Sequence, residues 1–274
     1  MKKKRRAGAA VRNIIGFIVI VIHIIPFYIL FTTALKSRGD NSSRWLLPAK
    51  INWGNFASAL EDGKILQAIA VTLIITASAT ILIIIIGALA AYPLARYKSS
   101  LSKFLSLLML GVMMVPPLSV LVPMYRLMVT LGGINTYWGI IILSVTYGLP
   151  LSVFMYSNFI ATIPYELDEA ALIDGCSRYS IFLRIILPSL KPVTASVIIL
   201  TSIGIWNDYS FQLYILQKPD LRTITLMLTS FFGEGNTDLN AAAAAACLTI
   251  VPLIVIYLCL SKYFVQGTVD SAVK

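Results

Sequence analysis

Long apolar stretches separated by short polar clusters set the pattern of this chain. A helix crosses the hydrocarbon core of a bilayer with about 20 apolar residues. Six stretches reach that length: 14–35, 66–92, 104–129, 137–160, 193–216 and 241–264. None alternates apolar and polar residues with the period of two that a membrane barrel strand requires. The pattern predicts an all-α polytopic membrane protein with six transmembrane helices. A basic tail at 1–13 precedes a six-span domain at 14–264, and a short tail at 265–274 follows. Pro116, Pro117 and Pro123 fall inside the third stretch; each removes a backbone donor, which predicts a kink there. The alanines at 241–246 open the last stretch with a surface small enough for close helix packing.

Composition strengthens this reading. Hydrophobic residues make up 58% of the chain and charged ones 12%, with a mean hydropathy of +0.84. A soluble domain carries about 25% charged residues. A water-soluble fold and a disordered tail are therefore excluded, and the three cysteines are too few for a disulfide scaffold. Cys176 falls in a loop, and Cys247 and Cys259 are about 18 Å apart along one helix, too far to bridge. All three are expected to be buried thiols.

The net charge of +10 sits at the edges of the spans. Lys2, Lys3, Lys4, Arg5, Arg6 and Arg12 precede the first, and the other basic residues mostly flank the rest. A nucleic-acid reader would gather its charge on one folded face, so no nucleic-acid partner is expected. With the N-terminus inside, the inner segments hold 14 Lys and Arg and the outer ones eight. That bias places both termini in the cytoplasm. The first outer loop, with five, runs against it, but it is the longest outer loop. The first apolar stretch exceeds the 7–15 or so residues of a signal-peptide core and is read as a retained span. Trp45, Trp53 and Trp138 lie in or beside outer loops, where interface anchors belong.

Catalytic signatures are missing. No G-x-x-x-x-G-K-[ST] phosphate loop, H-E-x-x-H or G-x-S-x-G occurs. His23, the only histidine, stands alone in the first span. It can serve a hydrogen bond between helices, or a proton or substrate contact. No catalytic, cofactor-binding or metal-binding residue is assigned, and the chain is read as a non-enzyme.

The loop at 161–192 carries the most local structure. Pro164 suits a first helical position, and Glu166, Asp168 and Glu169 crowd a first turn where the helix dipole favours anions. Ala170 and Ala171 continue the helix until Gly175 stops it. Ser177 can cap a second helix whose Ile181, Phe182, Ile185 and Ile186 form one apolar stripe before Pro188. Two short helices about a glycine suit an interfacial pad or, as the sharper reading, a knob that docks into a groove of a cytoplasmic partner.

The spacing Glu169-Ala170-Ala171, Gly175, Ile185, Leu187-Pro188 resembles the EAA motif of ABC importer permeases at every anchor position. Leu149-Pro150, Trp206-Asn207-Asp208 and the stretch from Tyr263 to Gly267 resemble the carbohydrate branch, the maltose and multiple-sugar permeases. The resemblance covers most of the chain and implies the permease fold. It also implies a second permease as heterodimer partner, two copies of a cytoplasmic ATPase that holds ATP and magnesium, and an extracytoplasmic solute-binding protein, all at a bacterial inner membrane. On this resemblance Glu169, Ala170, Ala171, Asp174, Gly175, Ile185, Leu187 and Pro188 couple to the ATPase. Trp206, Asn207 and Asp208 are candidates for the path of a sugar or oligosaccharide, with a cap or pairing on a neighbouring helix the equal alternative for Asp208. An importer of a phosphorylated polyol, polyamine or peptide is the alternative within transport, and a membrane enzyme or scaffold the alternative outside it.

Overall fold

The computed structural model describes residues 12–61, 64–232 and 238–259 in full, and the helical backbone alone at 2–11 and 260–272. In chain order the α-helices are α1 (Lys2–Leu35), α2 (Gly54–Glu61), α3 (Ile65–Arg96), α4 (Ser100–Met113), α5 (Leu121–Thr130), α6 (Tyr137–Thr162), α7 (Glu166–Ile173), α8 (Arg178–Ser189), α9 (Lys191–Trp206), α10 (Ser210–Ile215), α11 (Ile224–Ser230) and α12 (Leu239–Ala272). No strand occurs among the described residues.

Four stretches are unbroken helices, apolar and long enough to span: Arg12–Leu35, Ile65–Arg96, Tyr137–Thr162 and Leu239–Cys259. Two further helix pairs reach the length and apolarity of a span only if each is taken together, and each is bent sharply at a break. The pair Ser100–Met113 and Pro117–Thr130 turns by 95°, and Arg178–Ser189 and Lys191–Trp206 by 72°. The apolar segment at 104–129 is thus two helices, because Pro116 and Pro117 donate no backbone hydrogen bond where the ladder breaks. The segment at 193–216 also divides. Helix α9 ends at Trp206, and Asp208 accepts from the N–H groups of Phe211 and Gln212, starting α10.

The chain forms two compact units, Met1–Leu66 with Met227–Val251, and Gln67–Leu226 with Pro252–Lys274. In the first, most apolar side chains of α1 from Ile14 to Phe27 are exposed. His23 is exposed too, and its Nδ1 donates to the Val19 carbonyl of the same helix at 2.7 Å. Beyond α1 the chain folds back around Lys36, which is only 3% exposed. Its ammonium donates to the carbonyls of Ser42 and Ser43 at 3.1 and 2.8 Å and to Ser42 Oγ, and lies 3.9 Å from Asp40. Asn55 donates to the carbonyls of Ala34 and Lys36, and Asn240 also donates to Lys36. Trp45 and Trp53 are exposed, and Ala241 to Ala245 are buried.

In the second unit α6 packs against α4, α9 and α10. Ile75, Ile83, Ile140, Tyr156, Ile160, Ile186 and Val197 are buried in one apolar core. A methyl at Gly87 would collide with Ser152 Oγ, and the Ser152 hydroxyl donates to the Ile83 carbonyl at 3.3 Å. Helices α3 and α6 therefore meet backbone to side chain at this point. Tyr156 Oη donates to Thr194 Oγ1 at 3.0 Å, joining α6 to α9.

Candidate functional site

The loop at 161–192 folds as two helices about Gly175, and each boundary has a local cause. Tyr165 is the N-cap of α7, so Pro164 stands one residue before the cap and not at the first helical position. Helix α7 closes with paired hydrogen bonds from Gly175 N–H to the Leu172 carbonyl and from Cys176 N–H to the Ala171 carbonyl. That closure needs a left-handed residue, and Gly175 has φ of +80° with open space around it. Ser177 Oγ accepts from Ser180 N–H and caps α8. Within α8 the turn at Phe182–Ile186 widens, with Leu187 N–H bonded to the Phe182 carbonyl. The cause is Pro188, whose ring excludes the ordinary partner four residues back.

The two helices sort their side chains by face. Ala171, Ile181, Phe182 and Ile186 point into the core, and Ile185 is half-buried against it. Glu169, Ala170, Asp174, Gly175, Leu187 and Pro188 are exposed. At the tip, Ile173 and Tyr179 are 86% and 83% exposed, large side chains with little cover from the described residues.

Asp168 departs from the first-turn reading. Glu166 and Glu169 face outward as a dipole-facing pair would, but Asp168 turns inward and is 4% exposed. Its carboxylate meets the Arg96 guanidinium through two bonds, Nη2 to Oδ1 at 2.9 Å and Nε to Oδ2 at 3.1 Å. Tyr92 Oη donates to Oδ2 at 3.0 Å. The remaining Arg96 Nη1 donates to the Ile163 carbonyl at 2.9 Å. Arg96 lies over the Tyr165 ring, and the Tyr92 ring packs on Phe182 of α8. Reading the sequence missed Arg96, Tyr92 and Asp168 as a group. Arg96 looks like one more inside charge, and 72 residues separate it from Asp168.

The span-five candidates occupy different places. Trp206 is 2% exposed and packed in the interior. Asn207 is exposed, and its amide donates to the Ile203 carbonyl. Asp208 caps α10 and borders a cleft of about 240 Å³ with Ser144, Tyr147, Gly148, Thr201 and Phe211. The Tyr147 and Phe211 rings stand 4.6 Å apart. Sequence patterning had marked neither aromatic. The stretch from Tyr263 to Gly267 lies outside the residues whose side chains are described. Of the cysteines, Cys176 and Cys247 are only half-buried and Cys259 is exposed, against the expectation of buried thiols.

The described residues thus combine long apolar helices, two sharply bent helix pairs and a two-helix loop about Gly175. Residues 83–270 match the family of binding-protein-dependent transport system inner membrane components. The melibiose/raffinose/stachyose import permease protein of Bacillus subtilis (strain 168) is 43% identical over all of both chains. The probable starch degradation products transport system permease protein of Thermoanaerobacterium thermosulfurigenes is 32% identical over 95% of each. A bacterial ABC transporter involved in the import of the acidic polysaccharide alginate has the same fold, with a TM-score of 0.82 over 94% of this chain and 97% of that one at 20% identity. The chain belongs to the family of binding-protein-dependent ABC importer permeases. It is an inner-membrane transport subunit and not an enzyme; the nucleotide is bound by the partner ATPase, and a solute-binding protein delivers the cargo.

Proposed function

We propose that this permease imports a sugar or oligosaccharide, pairs with a second, different permease, and couples to its ATPase through the knob formed by α7 and α8. Exposed Ile173 and Tyr179, set on either side of Gly175, carry the coupling part of the reading. Apolar side chains that large fill a groove in a partner more readily than they stand in water. Glu169, Ala170 and Asp174 present an acidic, small-residue face beside them and Leu187 and Pro188 are exposed on α8, while Ala171 and Ile185 pack toward the core beneath. The sugar part rests on relatives whose names specify melibiose, raffinose and stachyose, and starch degradation products. Asp208 borders the cleft taken as the path, with Asn207 exposed next to it in the chain and Trp206 buried. The positive-inside bias puts the knob and both termini in the cytoplasm.

Replacing Ile173 and Tyr179 together by Asp should reduce ATPase subunit recovered with the detergent-purified permease at least tenfold. Gly175→Trp, which adds bulk at the tip and strains the left-handed closure of α7, should do the same. Full ATPase recovery in both variants overturns the docking site. Uptake by the reconstituted importer, assayed against saccharides, polyamines, peptides and phosphorylated polyols in parallel, decides the cargo. Transport of a non-sugar and of no saccharide overturns the sugar assignment.

A further inference from the structure

We propose that Arg96, Asp168 and Tyr92 form a rigid tether that makes α7 move as one body with the ends of α3 and α6, so that Arg96 and Asp168 are positioning residues for coupling. The inference rests on the docking role proposed for the knob. Three ion pairs occur among the described residues, and in this one alone are both side chains buried, each 5% exposed. Only residues 163–165 connect α6 to α7, a linker short enough to steer α7 but free to swing about its backbone dihedrals. Without a tether, a push on the knob would be absorbed there.

Arg96 removes that freedom. It is the last residue of α3, its Nη1 holds the Ile163 carbonyl at the end of α6, and its other nitrogens hold Asp168 in the first turn of α7. One guanidinium therefore fixes three helix ends. Tyr92, a turn earlier on α3, adds a hydroxyl to the same carboxylate and lays its ring on Phe182 of α8. A two-point fork sets direction as well as distance, which a single contact does not. Breaking it in the interior would leave a charge unpaired, so small displacements are transmitted in preference to breaking the pair. Stability alone does not account for the arrangement, since apolar side chains of similar volume commonly hold a fold as well as a buried ion pair. What apolar contact lacks is the fixed angle.

The test uses the complete importer, with second permease, ATPase and binding protein, reconstituted in proteoliposomes. Each variant is scored for assembly, ATPase recovery, ATP hydrolysis and solute imported per ATP. Arg96→Met with Asp168→Leu removes both charges together and should assemble, retain its ATPase and hydrolyse ATP, while solute per ATP falls about tenfold. Arg96→Lys, which keeps the charge and loses the fork, should lower the ratio several-fold, and Tyr92→Phe about twofold. A wild-type ratio in the assembled double variant overturns the tether. Should that variant fail to assemble, wild-type ratios in both Arg96→Lys and Tyr92→Phe overturn it. Loss of ATPase recovery in the Ile173 and Tyr179 variants, alongside an unchanged ratio here, would leave the docking site standing and remove the tether alone.

Discussion

At Gly87 and Gly175 the same residue type answers opposite constraints. Nothing lies within 4 Å of a methyl built on Gly175, but its φ of +80° strains any other residue. Gly87 sits in an ordinary helix, and a methyl there would strike Ser152 Oγ and approach Ser152 Cβ at 3.1 Å. Overpacking of this kind costs about 1–3 kcal/mol. Gly87→Ala should therefore lower the melting temperature of the detergent-solubilised chain, and Ser152→Gly in the same molecule should recover most of the loss. Ser152→Gly alone gives up one hydrogen bond, worth about 1 kcal/mol, so the two changes should be strongly non-additive. Additive losses would mean that α3 and α6 do not cross as closely as the collision implies.

Helix α12 begins where Asp238 gathers the N–H groups of Asn240 and Ala241 at 3.1 and 3.0 Å, and Arg38 binds the other carboxylate oxygen. Burial pushes the Asp238 carboxyl up, but the Ala241 N–H and the Arg38 guanidinium outweigh it and hold it below the ordinary carboxylate range. A carboxyl lowered by folding contributes stability above its unfolded value of about 3.9. That contribution disappears as pH falls through the lower folded value. Asp238→Ala should cost about 1 kcal/mol through the lost cap, with little added by an ion pair whose Arg38 is 62% exposed. Asp238→Asn should retain most of the cap. Thermal melts at pH 7 distinguish the two, and equal losses would show that charge and not capping starts the helix. Such ends were legible in part: Gly175 and Ser177 are read directly, since stop and cap chemistry is local. Asp238 gave no comparable signal beyond its place before the alanine run. The division of the fifth apolar segment at Asn207 was invisible to hydropathy averaged over a span, because isoleucines and leucines on either side keep that average apolar. The Arg96–Asp168 pairing was hidden for a different reason, since only the tertiary fold brings the two side chains together.

For the molecule as a whole, the proposed topology can be read from a thiol already present. Cys176 follows Gly175 and is half-exposed. In a chain carrying Cys247→Ala and Cys259→Ala, a membrane-impermeant maleimide should label Cys176 in inside-out vesicles and leave it unlabelled in intact cells. Labelling from outside intact cells would invert the topology and detach the knob from any cytoplasmic ATPase. The same topology turns the fold-back after α1 toward the outer medium, where ionic conditions vary. Around Lys36 that segment is arranged like a crown ether: carbonyl and hydroxyl oxygens surround one cation, and the guest is covalently attached to its host. External loops that borrow their order from a dissolved metal ion loosen when the ion is scarce. This one carries its ion in the chain, so dilution cannot remove it.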